Sequence, residues 1–262
     1  MIPQIIYGTA WKEERTQELV LKALKLGYRA IDTANQRKHY FEEGVGNAIS
    51  KSGIPRKELF IQTKFTYASS QDNRIPYNKN SDFTTQVMQS FESSLLHLKT
   101  EYIDSYLLHG PKTPYSVTYD DLMVYKAMEA LFEKKKILAL GVSNVTIKQL
   151  KVFYEKAKHK PKIVQNRCYA SMGWDKEVRE FCIKNKITYQ GFSLLTANPN
   201  IIQSVKNIAK KYSKTEAQII FRFAKHIGIT PLTGTTDEKH MKEDLDLDFK
   251  LSSEDIDYIS KL

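Results

Sequence analysis

Short apolar runs alternate with amphipathic segments along almost the whole chain, and this alternation restricts the possible folds more than any other feature. About eight apolar runs have the length of a strand buried on both faces, and each is followed by at least one helical pattern. The predicted strands cover residues 5–7, 28–31, 59–63, 103–108, 138–142, 162–165, 188–191 and 228–232. Eight such units in 262 residues favour a closed (β/α)8 TIM barrel over an open doubly wound sheet.

The periodicity between these runs predicts the helices. They cover residues 16–26, 43–50, 83–98, 122–133, 147–157, 176–184, 203–212, 216–226, 238–244 and 253–260. Asp82 is a suitable N-cap for the third of them. No linker interrupts the pattern, so we expect a single domain over residues 1–262. The longest irregular stretch, residues 65–81, directly follows Lys64, and we expect it to lie over the functional site.

The composition excludes several classes of protein. Hydrophobic residues make up 41% of the chain, which is enough for a packed core, and no apolar run is long enough to cross a membrane. Cys168 and Cys182 are too few for a disulfide framework, and the first residues lack the pattern of a signal peptide. We therefore expect a cytoplasmic protein without a membrane partner, monomeric by default.

The net charge of +10 leaves two interpretations open. The lysines are scattered over amphipathic segments or lie near predicted helix ends, which is typical of solvated faces. We therefore expect no nucleic-acid partner. The alternative is a weak attraction for polyanions or for a phosphorylated ligand.

Four polar side chains lie near the carboxyl ends of separate predicted strands: Asp32, Tyr40, Lys64 and His109. Catalytic groups collect at this end of a parallel barrel, so the four converge if the runs are barrel strands. An ion pair with Asp32 holds Lys64, and Lys64 beside Tyr40 lowers the pKa of the phenol. Such a phenol can protonate a carbonyl oxygen that His109 orients. The set predicts carbonyl reduction or alcohol oxidation, with the hydride carried by a cofactor.

Each of the four residues also has an ordinary explanation when it is taken alone. An aspartate after a strand often caps a helix, a tyrosine often packs in the core, and a lysine or histidine often faces solvent. Their consistent chemical roles at the ends of three strands favour the catalytic interpretation. A Rossmann fingerprint is absent, because Gly44 and Gly46 lie inside a helical pattern.

Several motifs resemble those of the aldo-keto reductase family, in the same order along nearly the whole chain. They occupy residues 27–34, 42–46, 107–111, 141–144 and 164–166. The resemblance implies a (β/α)8 barrel that transfers a hydride from a nicotinamide cofactor to a small carbonyl substrate. It implies that Tyr40 is the acid/base, that Lys64 tunes Tyr40 with Asp32 as its partner, and that His109 orients the substrate.

The resemblance also implies a set of cofactor contacts. Ser143, Asn144 and Gln165 are expected to hold the carboxamide, and Phe192, followed by Ser193 and Leu194, to stack on the nicotinamide. The remaining expected contacts are Gly8, Thr9, Thr233, Thr235, Lys239, His240, Glu243 and Asp244. Two alternatives stay open, in which Asn144 caps the next helix or Phe192 belongs to the core.

The sequence departs from the family pattern at the phosphate site and at the tyrosine. Leu232 stands where the family commonly has a lysine, and an arginine is missing after it; NADPH is nevertheless expected over NADH. Arg37 stands at the usual spacing from Asp32, and Tyr40 follows three residues later in a Lys-His-Tyr element like that of one subgroup. We assign Tyr40 because arginine cannot act as a general acid at ordinary pH, and His39 remains the alternative.

The substrate pocket is expected to be open. Relative to the family, the amino-terminal hairpin plug is nearly absent and the tail after the last helix is short. Substrate contacts are then expected from residues 65–81 and 111–119. The candidate contacts are Trp11, Tyr67 and Tyr115, with Tyr77 and Trp174 as further aromatic walls. The alternative for Trp11 is packing against the barrel rim.

The sequence thus predicts an enzyme that reduces aldehydes or ketones to alcohols. The first alternative is a nicotinamide-binding regulatory subunit of the same fold with little turnover. The second is a polyanion-binding module, suggested by the net charge alone.

Overall fold

The computed structural model describes residues 4–262 and shows eight parallel strands in a closed barrel. The strands are β1 (Ile6–Gly8), β2 (Ala30–Asp32), β3 (Phe60–Phe65), β4 (Ser105–Leu108), β5 (Leu140–Ser143), β6 (Ile163–Arg167), β7 (Thr188–Phe192) and β8 (Ile229–Thr233). They pair in chain order, and the ring closes where Tyr7 of β1 pairs with Thr233 of β8. The predicted (β/α)8 barrel is confirmed.

Eleven helices lie outside the barrel in the described part of the chain. They are α1 (Thr16–Leu26), α2 (Glu42–Ser52), α3 (Phe83–Leu98), α4 (Tyr119–Glu133), α5 (Ile147–Lys156), α6 (Lys176–Lys184), α7 (Pro199–Ser204), α8 (Lys206–Tyr212), α9 (Glu216–His226), α10 (Glu238–Leu245) and α11 (Ser253–Ser260). The Asp82 carboxylate accepts a hydrogen bond from the Thr85 amide, which confirms the predicted N-cap of α3.

Two helical regions differ from the prediction. Helix α4 begins earlier than predicted, because Thr118 and Asp121 form a reciprocal capping box before it. The helix predicted for residues 203–212 is divided into α7 and α8. Pro199 favours the earlier start of α7, since proline suits the first turn of a helix, and the backbone departs from helical geometry at Val205.

Strands β2 and β3 begin and end later than predicted, and this changes where the polar residues lie. Strand β2 includes Asp32, and β3 continues through Lys64, which pairs with Leu107 of β4. The barrel therefore fixes the backbone of both charged residues. Tyr40 and His109 lie on the loops that follow β2 and β4.

The apolar core has two parts. Most of it lies between the barrel and the helices, and a smaller cluster of Ile6, Ala30 and Leu232 lies inside the barrel. Buried polar side chains, among them Gln62 and Gln190, occupy another part of the interior. Polar side chains this deeply buried need hydrogen-bond partners, and those partners are part of the site described below.

The long loop after β3 is anchored to its surroundings. It contains a 3-10 turn at Ala68–Ser70, and the Tyr77 hydroxyl donates a hydrogen bond to the Thr66 carbonyl at 2.7 Å. The short amino-terminal hairpin that the sequence predicts would include residues 1–3, which lie outside the described residues. Between residues 4 and 262, no strand precedes β1. Over the same range, no helix has the length and apolar character that crossing a membrane requires.

Candidate active site

Asp32 and Lys64 form a buried ion pair at the carboxyl ends of β2 and β3. Lys64 Nζ lies 2.6 Å from Asp32 Oδ1 and 2.8 Å from the carbonyl oxygen of Thr33. Burial lowers the pKa of Lys64, and the Asp32 carboxylate opposes that shift. Because an unpaired buried charge is costly, each of the two groups depends on the other.

Glutamine side chains from three strands surround this ion pair. Gln62 of β3 and Gln165 of β6 donate to Asp32 Oδ1 at 2.7 and 3.0 Å. Both amides also donate to Gln190 of β7, at 2.7 and 3.0 Å. Asp32 Oδ1 therefore accepts hydrogen bonds from Lys64 and from two amides, which fix the carboxylate in one orientation.

The Tyr40 ring lies near both the ion pair and His109. Lys64 Nζ is 5.4 Å from the Tyr40 ring centroid, and the Tyr40 and His109 ring centroids are 5.8 Å apart in an edge-to-face arrangement. Burial, followed by the Asp32 carboxylate, raises the pKa of Tyr40 above its usual value. The predicted lowering is wrong, because burial and the Asp32 carboxylate both disfavour the phenolate. Tyr40 is a neutral phenol at physiological pH.

His109 is neutral as well. Burial and the charge of Lys64 lower the pKa of His109 to about 3. His109 Nδ1 lies 2.7 Å from Thr66 Oγ1, and Asn144 Nδ2 donates to the His109 carbonyl at 2.8 Å. Among residues 4–262, no side chain or amide bonds to the other ring nitrogen. That nitrogen is available for a hydrogen bond with a substrate oxygen.

A cavity of about 590 Å³ extends from Tyr40 and His109 to β8 and α10. This volume is typical of a small-molecule site. The cavity is lined by most residues of the predicted cofactor set: Gly8, Ser143, Asn144, Gln165, Phe192, Ser193, Leu194, Thr233, Thr235, His240, Glu243 and Asp244. One end of the predicted cofactor site therefore lies next to Asp32, Tyr40 and His109, which line the same cavity.

Two residues of the predicted cofactor set do not line this cavity. Thr9 is buried, and its hydroxyl donates to the Asp32 carbonyl at 2.9 Å. Lys239 is on the exposed side of α10, where its ammonium lies 3.7 Å from the Glu243 carboxylate. The side chain of Thr9 is committed to the barrel backbone, and Lys239 points to solvent.

The residues predicted to hold a carboxamide are locked in place. Ser143 Oγ donates to the Gln165 carbonyl at 2.6 Å, and Asn144 has the left-handed backbone angle φ of 54°. Thr146 caps α5, so the alternative in which Asn144 is the helix cap is wrong. Gln165 Oε1 has no donor among residues 4–262, and Gln165 lines the cavity. A free amide oxygen beside the half-buried Phe192 ring fits a nicotinamide carboxamide and ring.

The opposite end of the cavity is acidic. Glu216, Glu243 and Asp244 line it together with His240, whereas no lysine or arginine of residues 4–262 does. Thr233 Oγ1 donates to Asp244 Oδ2 at 2.6 Å, and burial raises the pKa of Asp244 to about 6. A phosphate at this end requires a nearby cation, because carboxylates repel it.

Lys12 brings a cation to this end, although it belongs to none of the predicted sets. Its buried ammonium donates to the Gly234 carbonyl at 2.6 Å and lies 5.2 Å from the Tyr7 ring centroid. No carboxylate of residues 4–262 pairs with it, and burial lowers the pKa of Lys12 to about 8. Since Gly234 lines the cavity, the Lys12 ammonium lies directly behind the cavity wall.

The structure corrects three of the expected aromatic substrate contacts. Tyr67 is buried and donates its hydroxyl to Asp121 at 2.8 Å. Tyr77 is buried in the loop as described above, and Trp174 is buried against Phe223. A tyrosine or tryptophan is stable in the core when its hydroxyl or N–H group has a hydrogen-bond partner there. These three residues therefore pack in the core and do not contact the substrate.

Trp11 and Tyr115 remain on the surface. Trp11 is 71% exposed, and its ring packs in a tilted arrangement against His39, the residue before Tyr40, with the ring centroids 3.9 Å apart. Tyr115 is 86% exposed and does not line the cavity. Residues of the 65–81 loop do not line it either; Arg74 is instead part of a separate cavity of about 400 Å³ that shares Tyr40.

Several residues of the site had no sequence motif to indicate them. Gln62 and Gln190 could have been found from strand alternation, because Gln62 precedes Lys64 by two residues and shares its face. Thr66 and Lys12 could not have been found in this way, because the conformation of the loops that carry them brings them to the site. Arg167, the last residue of β6, shares the face of Gln165 by the same alternation.

Comparison with known proteins agrees with this geometry. Residues 4–262 match the Aldo/keto reductase family. Glyoxal reductase of Bacillus subtilis (strain 168) is 35% identical over 248 residues, which cover 94% of this chain and 82% of that protein. The 9,11-endoperoxide prostaglandin H2 reductase of Trypanosoma cruzi (strain CL Brener) is 31% identical over 269 residues, covering 100% of this chain and 88% of that protein.

Solved structures show the same relationship. An aldo-keto reductase enzyme from a Medee basin deep-sea metagenome library matches with a TM-score of 0.86 and 30% identity, covering 99% of this chain and 90% of that chain. An aldo/keto reductase from Brucella melitensis matches with a TM-score of 0.84 and 31% identity, covering 99% and 95%. The chain therefore belongs to the aldo/keto reductase family and is a nicotinamide-dependent enzyme that reduces carbonyl groups.

Proposed function

We propose that the protein reduces small aldehydes and ketones to alcohols, with Tyr40 as the proton donor. The observation that carries this proposal is the continuity of one cavity. It joins Tyr40 and His109 at one end to Gln165 and Phe192, which fit a nicotinamide. A carbonyl group at this end lies within reach of both a proton donor and the cofactor site.

The side chains of the site divide the work of carbonyl reduction. The bound nicotinamide cofactor supplies the hydride. Tyr40 donates its proton to the carbonyl oxygen as negative charge develops there, and His109 orients that oxygen by a hydrogen bond. The Lys64 ammonium lies 5.4 Å from the centroid of the phenol ring and stabilises the negative charge that remains on Tyr40 after transfer, while Asp32 holds Lys64 in position.

The raised pKa of Tyr40 suits its proposed role as a proton donor. Reduction starts from the protonated phenol, and the raised pKa keeps the proton on Tyr40 at physiological pH. The same groups serve the reverse reaction, because the net direction depends on the concentrations of substrate and cofactor.

For the cofactor we propose NADPH in preference to NADH, with Lys12 supplying the positive charge for the 2′-phosphate. Lys12 is the buried cation at the loop between β8 and α10, where Thr233 and Thr235 line the cavity. It lacks a carboxylate partner among residues 4–262, so a phosphate oxygen is a favourable partner for it. The acidic groups Glu216 and Glu243 limit how strong this preference can be.

The relatives suggest the substrate class. A relative of this chain is a glyoxal reductase, and glyoxal is a small compound with two adjacent carbonyl groups. We therefore propose small reactive aldehydes as substrates, including dicarbonyl compounds.

The test is a turnover assay of the purified protein with NADPH and a panel of aldehydes that includes glyoxal, methylglyoxal and butanal. We expect oxidation of the cofactor that depends on the aldehyde, together with cofactor binding measured by fluorescence. Tight cofactor binding without turnover of any aldehyde would contradict the proposal and would indicate a regulatory cofactor-binding protein.

A further inference from the structure

Arg167 occupies a position at the barrel mouth that the proposed chemistry does not use. It is the last residue of β6 and lies two residues beyond Gln165, so the two side chains leave the strand on the same inner face. Its partner in the neighbouring strand is Phe192 of β7. The Arg167 guanidinium lies 5.3 Å from the Phe192 ring centroid.

The charge of Arg167 has no partner within the described residues. Six of the arginines have a salt bridge or a hydrogen bond; for example, Arg56 pairs with Asp104 at 2.6 Å, and Arg179 donates to backbone carbonyls. Arg167 is exposed and forms neither a salt bridge nor a side-chain hydrogen bond with residues 4–262. Its guanidinium therefore remains free to bind an anion.

Arg167 and Tyr40 come from opposite sides of the barrel. Strands β2 and β6 lie on opposite sides of an eight-stranded ring, so Arg167 and the loop that carries Tyr40 face each other across the barrel mouth. The charge of Arg167 lowers the pKa of Tyr40, although burial and the Asp32 carboxylate have larger effects in the opposite direction. Lys64 is paired and His109 is uncharged, so Arg167 supplies positive charge to this part of the mouth.

We propose that Arg167 selects substrates that carry a carboxylate, so that short oxo acids with an aldehyde or keto group are reduced in preference to neutral carbonyl compounds of the same size. The carbonyl oxygen lies at Tyr40 and His109, and the carboxylate binds the guanidinium across the mouth. The reaction is unchanged: the carbonyl carbon gains a hydride from the reduced cofactor, the oxygen gains the Tyr40 proton, and the product is a hydroxy acid. This inference rests on the proposed carbonyl reduction.

The test compares kcat/KM for succinic semialdehyde with kcat/KM for butanal, which has the same number of carbons but no carboxylate. The wild type is expected to prefer the acid. Arg167→Gln is expected to lower kcat/KM for the acid roughly 10- to 100-fold, which is the range for losing a hydrogen-bonded charge pair, and to change it for butanal by less than about twofold. Arg167→Lys is expected to retain part of the preference. Arg15→Gln, which removes an exposed arginine of a surface pair, is the control and is expected to change neither value.

Two further measurements separate this inference from its alternatives. The fluorescence Kd of the cofactor is expected to stay the same in Arg167→Gln; a weaker Kd with equal losses for both substrates would show that Arg167 only supports Phe192, and would overturn the inference. Equal kcat/KM for both substrates in the wild type would overturn it as well, while leaving carbonyl reduction intact. Failure of the wild type to reduce either substrate would contradict the proposed function itself.

Discussion

The two ends of the cavity satisfy their charges in different ways. At the catalytic end, the protein pairs its own groups: Lys64 binds Asp32, and His109 carries no charge. At the far end, Glu216 and Glu243 face the cavity, and Lys12 lies behind the wall with only a carbonyl partner. The catalytic end is therefore organised before any ligand binds, whereas the far end keeps a buried cation that has no carboxylate partner among residues 4–262.

This difference has a physical reason. A proton donor must be held in one protonation state and one orientation, which requires fixed and buried neighbours. A cofactor site must bind and release its ligand in each turnover, so part of its polar interactions must be made by the ligand. The comparison predicts that changes at the catalytic end affect stability and turnover, whereas changes at the far end affect mainly cofactor affinity.

The largest expected effect is on the buried ion pair. Lys64→Met leaves the Asp32 carboxylate buried without its cation, and we expect the free energy of unfolding to fall by about 3–5 kcal/mol. Urea unfolding measures this loss. Arg74→Met is the control, because it removes an exposed arginine that pairs with Asp72, and we expect no measurable change. Equal effects of the two substitutions would show that the catalytic end is not organised by this pair.

A smaller effect is expected from the pH dependence of His109. Its pKa is about 3 in the folded protein and about 6.5 in the unfolded chain, so the unfolded state binds more protons between these values. Stability therefore rises with pH over this range, and acidification from pH 7 to pH 5 is expected to cost about 2 kcal/mol through this group.

The measurement is urea unfolding at both pH values for the wild type and for His109→Gln. The substituted protein lacks the imidazole, so its loss of stability on acidification is expected to be about 2 kcal/mol smaller. The same loss in both proteins would mean that His109 is not held neutral by its surroundings.

The smallest effect of the series concerns the far end. Lys12→Met removes the proposed phosphate partner, and we expect the fluorescence Kd for NADPH to rise at least about tenfold, with a smaller change for NADH. Lys239→Met is the matched control on the exposed side of α10 and is expected to change neither Kd. If Lys12→Met weakens both cofactors equally, Lys12 does not distinguish the 2′-phosphate.

Much of the fold was predictable because hydrophobic periodicity reports burial directly. The strand–helix alternation correctly predicted the barrel, and Asp82 correctly indicated the start of α3. The boundaries of β3 were not predictable from apolar runs, because Gln62 and Lys64 are polar residues inside the barrel. Their burial depends on partners from other strands, such as Asp32 and Gln190, which periodicity along one strand does not show.

The site was only partly predictable for a related reason. The types and order of the polar residues predicted which groups come together, and the structure places Tyr40 and His109 on one cavity. The direction predicted from the sequence for the pKa shift of Tyr40 was wrong, because the depth of burial of the phenol beside Asp32 is set by the tertiary fold. Tyr67 was wrongly predicted to contact the substrate, because its buried hydrogen-bond partner Asp121 is remote in the chain and could not be identified from the sequence.

The most direct test of the account is a single-turnover measurement that assigns the proton donor. The rate of cofactor oxidation by bound aldehyde is compared between Tyr40→Phe and His39→Asn, with cofactor Kd measured for both. We expect Tyr40→Phe to slow the reaction by at least about 100-fold with little change in Kd, and His39→Asn to stay within about threefold of the wild type. A fast reaction in Tyr40→Phe together with a slow one in His39→Asn would show that His39, and not Tyr40, donates the proton.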